Sequence, residues 1–445
     1  MQKIACCIIF IISLSKTFGQ TTSQEIDELL KAYSNQNSFN GSVLIAQKGE
    51  ILLQKGYGYK NAAANSFNDP NTIFQIGSIT KQFTSAVILQ LQEQGKISVH
   101  DNLSKYIPDY PNGDSISIEN LLTHTSGIHN FNDNAFMKTN AAKPIKLDSI
   151  IMLFKHVATD FKAGTNYNYS NSNYILLGFI IEKITGKSYY QNIRERIFQP
   201  LQMNHSGFNF TSLKSADKAV GYSKLNSKHK NISVVVDSSI MYAAGGIYST
   251  VSDLYKWDRA LYTNKIIHDS SLQKAFTPYK NNYGYGWMID SAYGKKAVMH
   301  EGATLGFTSF IGRIPVDSIC IILLDNKQSN GLIKIAEDIN SILNNQPYDF
   351  PKPRSEIEVD TAILKQYVGD YQLSPELILT IALEDGQLTA TAKGQGKTEL
   401  FAEKENFFFV KMANVQIEFT KNSIGKTTKL IFYQDGQQMQ ALKIK

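Results

Sequence analysis

Disulfides, bulk charge, membrane spans and metal-ligand clusters are scarce or missing in this chain. Of 445 residues only three are cysteine, and Cys6 and Cys7 sit in the N-terminal stretch, so Cys320 has no intramolecular partner once that stretch is removed. Cys320 lies in the apolar run Ile319–Leu324, which fits a small buried residue of a central strand rather than a reactive thiol. There is no run of Lys or Arg, and the formal charge of +6 falls to +4 without Lys3 and Lys16, so no nucleic-acid partner is expected. His-Glu-x-x-His, phosphate-cradling Gly loops and Cys/His pairs at metal spacing are all absent, so neither a metal nor a nucleotide cofactor is expected. The apolar (42%) and charged (19%) fractions are those of a folded globular protein, and the length suits one large domain plus a smaller one.

The N-terminus carries Lys3, an apolar stretch from Ile4 to Leu14, and the small residues Thr17 and Gly19. This is the pattern of a secretory signal over 1–19, cut before Gln20, and it predicts a periplasmic or secreted protein. The apolar stretch falls short of the roughly 20 residues that span a bilayer.

Hydrophobic periodicity predicts a short helix around Glu25–Tyr33, then a hairpin of Gly41–Lys48 and Ile51–Tyr59 turned at Gly49. A helix from about Ser78 to Gln94, closed by Gly95, is apolar nearly all round at Phe83, Ala86, Val87, Ile88, Leu89 and Leu91, which implies burial on most faces. Residues 101–230 read as helical, and strands return at Tyr285–Asp290, Ala297–His300, Phe307–Arg313 and Ser318–Asp325 before a helix at Gly331–Leu343. The fold class expected is mixed α/β of the α+β kind: an antiparallel sheet flanked by helices, with an all-helical inserted lobe, over residues 20–345. The proline-bearing segment 346–356 reads as a linker. Residues 357–445 have short alternating strands with turns at Asp385-Gly386 and Asp435-Gly436, which suits a small antiparallel β-barrel or sandwich.

Three short motifs carry chemistry: Ser78-Ile-Thr-Lys81, Tyr169-Ser-Asn171 and His300-Glu-Gly302. Ser78 opens the buried helix, where unsatisfied backbone donors and the helix dipole favour a forming alkoxide. Lys81, at i+3, shares its face, and desolvation would lower the amine's pKa enough for it to act as a base. Taken singly these motifs are weak. Ser-x-x-Lys recurs at Ser215/Lys218 and Ser271/Lys274, Tyr-x-Asn recurs at Tyr59/Asn61, and a lone strand-end histidine is usually structural.

The flanking sequence is more specific. Phe74–Thr84, Leu121–Ile128, Tyr169–Gly186, Ala243–Thr250, Tyr283–Trp287 and His300–Phe307 together resemble the serine beta-lactamase superfamily, on its class C beta-lactamase, DD-peptidase and esterase branch, over residues 35–345. The resemblance implies that Ser78 is acylated, Lys81 activates it and Tyr169 shuttles protons. It further implies that Asn171 bonds Lys81 and the substrate, and that His300 faces Ser78 and contributes positive charge or a proton. The backbone N–H of Ala303, after Gly302, would complete an oxyanion hole with that of Ser78. His124, Ser126 and Gly127 are expected to shape a turn beneath the cleft, with Tyr248 and Trp287 as packing aromatics. The penicillin-hydrolysing relatives usually carry Lys-Thr-Gly where this chain has His300-Glu301-Gly302, which points away from antibiotics. The resemblance and the motifs together imply an exported serine hydrolase that acts through an acyl-enzyme on small peptides, amides or esters. The competing reading is an idle homologue that binds cell-wall fragments or a protein.

Overall fold

The computed structural model describes residues 18–131, 139–226, 229–329, 331–351, 354, 356–384, 386–392, 396–411, 415–434 and 437–444; the expected signal segment lies almost wholly outside them. Helix α1 (Phe18–Asn35) leads into the hairpin β1 (Gly41–Gln47) and β2 (Glu50–Gly56). Lys48 and Gly49 both take positive φ, 55° and 84°, which is the backbone a two-residue hairpin turn with right-handed twist requires. Helix α2 (Thr80–Glu93) follows a 3₁₀ turn over Gly77–Ile79 and stops at Gly95, whose φ is +68°. Next come α3 (Asn171–Thr185), α4 (Ser238–Gly245), α5 (Val251–Ala260), the strands β3 (Met288–Ala292), β4 (Lys295–Thr304), β5 (Phe307–Ile314) and β6 (Ile319–Asp325), and α6 (Leu332–Leu343).

The sheet has six antiparallel strands in the order β2-β1-β6-β5-β4-β3, so the first hairpin of the chain pairs with its late strands. One face packs on α2, α3 and α5 through Phe83, Leu177, Trp257 and Ile322, and the other on α1 and α6 through Leu29, Phe310, Leu323 and Ile339. Cys320 is free and buried in the central strand β6. The region between α2 and α4 is mainly helical as expected, although Tyr222–Leu225 and Lys230–Ile232 pair as a small hairpin.

Beyond residue 360, eight strands close a barrel: β7 (Gly369–Gln372), β8 (Ile378–Glu384), β9 (Gln387–Ala392), β10 (Thr398–Lys404), β11 (Phe407–Phe409), β12 (Val415–Lys421), β13 (Thr427–Gln434) and β14 (Gln437–Lys443). The barrel has a core of its own, including Tyr367, Tyr371, Leu388, Phe408 and Phe419. Asp385 and the Asp435-Gly436 pair lie outside the described residues.

Candidate active site

Ser78 sits in the 3₁₀ turn that feeds α2, partly exposed, while Lys81 is fully buried one turn on. The Lys81 Nζ lies 3.0 Å from Ser78 Oγ, 2.7 Å from Asn171 Oδ1 and 2.9 Å from the Ala244 carbonyl. No carboxylate is among these partners, and burial pushes the amine well below its ordinary pKa. If the ammonium gives up one proton, its two remaining N–H groups still serve Asn171 and Ala244. The lone pair then faces the Ser78 hydroxyl, which is the arrangement a general base needs.

The Ala244 carbonyl is aimed by α4, whose residue Tyr242 has φ 38° and ψ −124°, backbone that a side-chain-bearing residue rarely adopts. Past that kink, Ala243 O accepts from Thr84 Oγ1 at 2.7 Å and Ile247 N–H donates to Thr80 Oγ1 at 3.2 Å, so the segment is tied to the first turns of α2. Asn171 begins α3, and its own N–H donates to Asn130 Oδ1 at 3.0 Å.

Tyr169 is half-buried just before α3, with the Lys81 amine 4.7 Å from its ring centroid. Burial raises its phenol pKa, and a hydrogen bond with Ser78 opposes that rise. The phenol is therefore held protonated, able to donate to or accept from the Ser78 oxygen. The His124 ring lies 4.3 Å from the Tyr169 ring, and its Nδ1 accepts the Ser170 N–H at 3.2 Å, which fixes the Tyr169 backbone from beneath. His124 itself has φ 57°, as the expected turn requires, and burial keeps its ring neutral. Ser126 closes the same turn by donating to Asn173 Oδ1 at 2.6 Å. Trp287 is buried against Phe276, as a packing aromatic.

Strand β4 is the penultimate strand of the sheet, because β3 lies outside it. That pairing ends at Met299, however, and His300–Thr304 form a local free edge beside the Ser78 turn. Two glycines allow the approach. A Cβ on Gly302 would meet the Ile76 carbonyl at 2.0 Å, and one on Gly77 would meet the Ala303 nitrogen at 2.7 Å. Ala303 is thereby brought against the Ser78 turn, where two backbone N–H groups can serve one oxyanion.

His300 needs a correction. The expectation of positive charge fails because the ring is 3% exposed and its pKa is lowered to about 3, first by desolvation and then by Lys81. Its Nδ1 lies 2.5 Å from the Glu301 carbonyl, which can only accept, so Nδ1 carries the proton. Its Nε2 then accepts from the Tyr283 hydroxyl at 2.8 Å. His300 is a neutral, doubly bonded wall of the site.

Sequence reasoning misses the part played by Tyr283, which is buried and packs its ring 4.7 Å from His124 and 6.1 Å from Tyr169. The segment Tyr283–Trp287 signals only the family resemblance. The Ala244 carbonyl is missed as well, since a backbone acceptor leaves no mark on residue type. Among the described residues no group of His, Cys, Asp and Glu could hold a metal, and no helix is long and apolar enough to cross a membrane.

Comparison with known proteins bears on the fold and the family. The profile of the Beta-lactamase family matches residues 26–340, and that of a domain of unknown function, DUF3471, matches residues 353–444. A penicillin-binding protein of Bacillus subtilis (strain 168) is 29% identical over 454 residues, covering 96% of this chain and 100% of the relative. The teichoic acid D-alanine hydrolase of Staphylococcus aureus (strain MRSA252) is 30% identical over 329 residues, 71% of this chain and 78% of that one. The solved structure of the octameric penicillin-binding protein homologue from Pyrococcus abyssi superimposes with a TM-score of 0.67 at 25% identity, over 94% of this chain and 99% of that one. The chain belongs to the Beta-lactamase family and is a serine hydrolase of that fold.

Proposed function

We propose that the protein hydrolyses small esters or amides of D-amino acids through an acyl-enzyme at Ser78. The observation that carries this reading is the buried Lys81 amine, 3.0 Å from Ser78 Oγ and, among the described residues, without a carboxylate partner. Lys81 takes the hydroxyl proton as the oxygen attacks the carbonyl carbon, and the Ser78 and Ala303 N–H groups receive the oxyanion. Tyr169 delivers its phenol proton to the leaving group and takes one back from the Lys81 ammonium through the Ser78 oxygen, which returns Lys81 to the neutral amine and Tyr169 to the phenol. Water then repeats the sequence on the acyl-enzyme and regenerates Ser78. Support for D-alanyl substrates comes from the staphylococcal relative named a teichoic acid D-alanine hydrolase.

Export belongs to the same proposal, since an enzyme acting on cell-envelope D-alanine works outside the cytoplasm. It rests on the pattern of residues 1–19. Mass spectrometry of the secreted or periplasmic product tests it, with Gln20 expected at the N-terminus.

Incubation with an activated D-alanyl ester, followed by mass spectrometry, tests the chemistry. The expected result is an acyl adduct on the Ser78 peptide that is absent in Ser78→Ala. Equal turnover by wild type and Ser78→Ala would remove the covalent mechanism and favour a binding protein.

A further inference from the structure

Hydrolase domain and barrel together line a cavity of about 490 Å³. From the hydrolase domain come Ser38 in the loop between α1 and β1, Lys224 in the small hairpin and Lys327 just past β6. From the barrel come Lys397 and Glu399 at the start of β10 and Lys411 just past β11. Four lysines and one carboxylate thus border one space, and their summed field favours an anion.

Two of these lysines have a counter-charge. Lys411, its side chain 9% exposed, pairs with Glu356 at 2.5 Å, and Lys397 pairs with Glu384 at 2.6 Å. Among the described residues Lys224 and Lys327 form no ion pair. The Lys327 ammonium donates to the Asn37 carbonyl, which carries no charge. Burial lowers the Lys327 pKa, the Asp325 carboxyl opposes that fall, and Lys411 adds to it. Asp325 is itself pushed up to about 7 by burial, so at neutral pH it is ionised only in part. An ammonium held away from water without full compensation is stabilised most by an arriving anion.

Ser38 is a separate sign of a ligand. It is 3% exposed, and its backbone N–H donates to the Tyr33 carbonyl at 2.9 Å, which fixes the residue in place. Its hydroxyl lines the cavity and has no partner among the described residues. Leaving a buried hydroxyl unpartnered is destabilising, and a ligand oxygen in the cavity removes that penalty.

We propose that this junction binds a small organic phosphate, a phosphate monoester carried on a sugar or polyol. Such a monoester brings nearly two negative charges and three strong acceptor oxygens, enough for two ammonium groups and a hydroxyl, whereas a carboxylate brings one charge. The volume suits a small organic ligand rather than a bare ion, and Gln328 and Thr398 offer polar side chains to its hydroxyl groups. Because both domains contribute, the bound ligand ties barrel to hydrolase. The lining residues are distinct from those that hold Ser78, Lys81 and His300, so this binding is separable from hydrolysis.

Titration calorimetry of the full chain with glucose 6-phosphate at fixed ionic strength tests the site, with glucose and sodium chloride as controls. The expected result is one site with a Kd of about 1 mM or tighter, and no binding heat from either control. Lys224→Met and Lys327→Met should each weaken binding about tenfold or more, as loss of a charge-assisted contact does. Ser38→Ala should weaken it about threefold without lowering the melting temperature of the ligand-free protein, so it decides the matter even if a lysine variant fails to fold. Sedimentation with vesicles containing phosphatidic acid separates the two sources of a phosphate monoester. Cosedimentation lost in the same variants would support the site with a lipid headgroup as its ligand, and binding of glucose 6-phosphate alone would support a soluble ester. No binding of either by wild type would overturn the proposal. Equal affinity in wild type and all three variants would also overturn it, as the mark of an adventitious ion only.

Discussion

At the scale of single residues, the site is built by removing charge. Lys81 acts as a base only when neutral, and burial lowers its pKa well below the ordinary lysine value. The acylation rate should therefore rise with pH through this depressed pKa and level off before the usual lysine range. Lys81→Met should lose roughly 10²–10⁴-fold in kcat/KM, as expected for removal of a positioned general base. Stopped-flow acylation with an activated ester, followed from mildly acidic to alkaline pH, would show both effects. His300 gives a second prediction, in stability. Its folded pKa of about 3 lies below the ordinary 6.5, so the unfolded chain binds the extra proton between those values and stability falls as pH drops through that window. By about two pH units below the ordinary value the fall attributable to His300 should be about 2 to 3 kcal/mol, and denaturant titrations of His300→Gln should lack it. The segments around Ser78, Lys81, Tyr169 and Asn171 make these residues legible through the family resemblance, because Ser-x-x-Lys and Tyr-x-Asn by themselves recur elsewhere in the chain. Tyr283 is not legible in the same way. Its part is to take a place among His124, Tyr169 and His300, and that depends on which distant rings meet.

At the scale of elements, the decisive contact is the free half of β4 against the Ser78 turn. The hairpin, the buried helix and the late strands are readable from period and turn residues, since Gly49 and Gly95 mark real left-handed backbone. The local edge is not readable, because it arises where β3 stops pairing at Met299, and strand pairing leaves no trace in the periodicity of either strand. The kink at Tyr242 is hidden for a similar reason: a tyrosine at φ 38° carries no composition signal. The edge contact yields a prediction. Gly302→Ala places a methyl group 2.0 Å from the Ile76 carbonyl, and backbone on both sides must part. Activity should fall by at least about 10²-fold, as for loss of one oxyanion donor, and stability by about 2 kcal/mol or more. Gly294→Ala in the β3–β4 turn, where φ is +72° and nothing lies within 4 Å, should cost only about 1 kcal/mol and leave acylation unchanged. The pair of variants, compared by acylation rate and by denaturant titration, separates the close approach from a general intolerance of substitution at glycine.

At the scale of the whole molecule, the barrel has its own core around Tyr367 and Phe419, separate from the two cores on either face of the six-stranded sheet. Its individual strands are visible in the sequence as alternating segments. Closure is not, because it rests on Tyr371 and Gln372 pairing with Lys443 and Leu442 at the far end of the barrel sequence. Where the barrel meets the hydrolase domain, cavities of about 240 Å³ and 490 Å³ open beside α1 and beside Lys327. Such loose packing resembles an interface between separable units more than a shared core. Among the described residues, none of the groups that hold Ser78, Lys81, Tyr169 or His300 comes from the barrel. A chain ending at Asn345 should therefore fold and acylate Ser78 at a rate within about threefold of the full protein. Calorimetry of the full protein should show a transition that the shortened chain lacks. A tenfold or greater loss of acylation in a shortened chain whose remaining transition is unchanged would mean instead that the barrel shapes the mouth of the site.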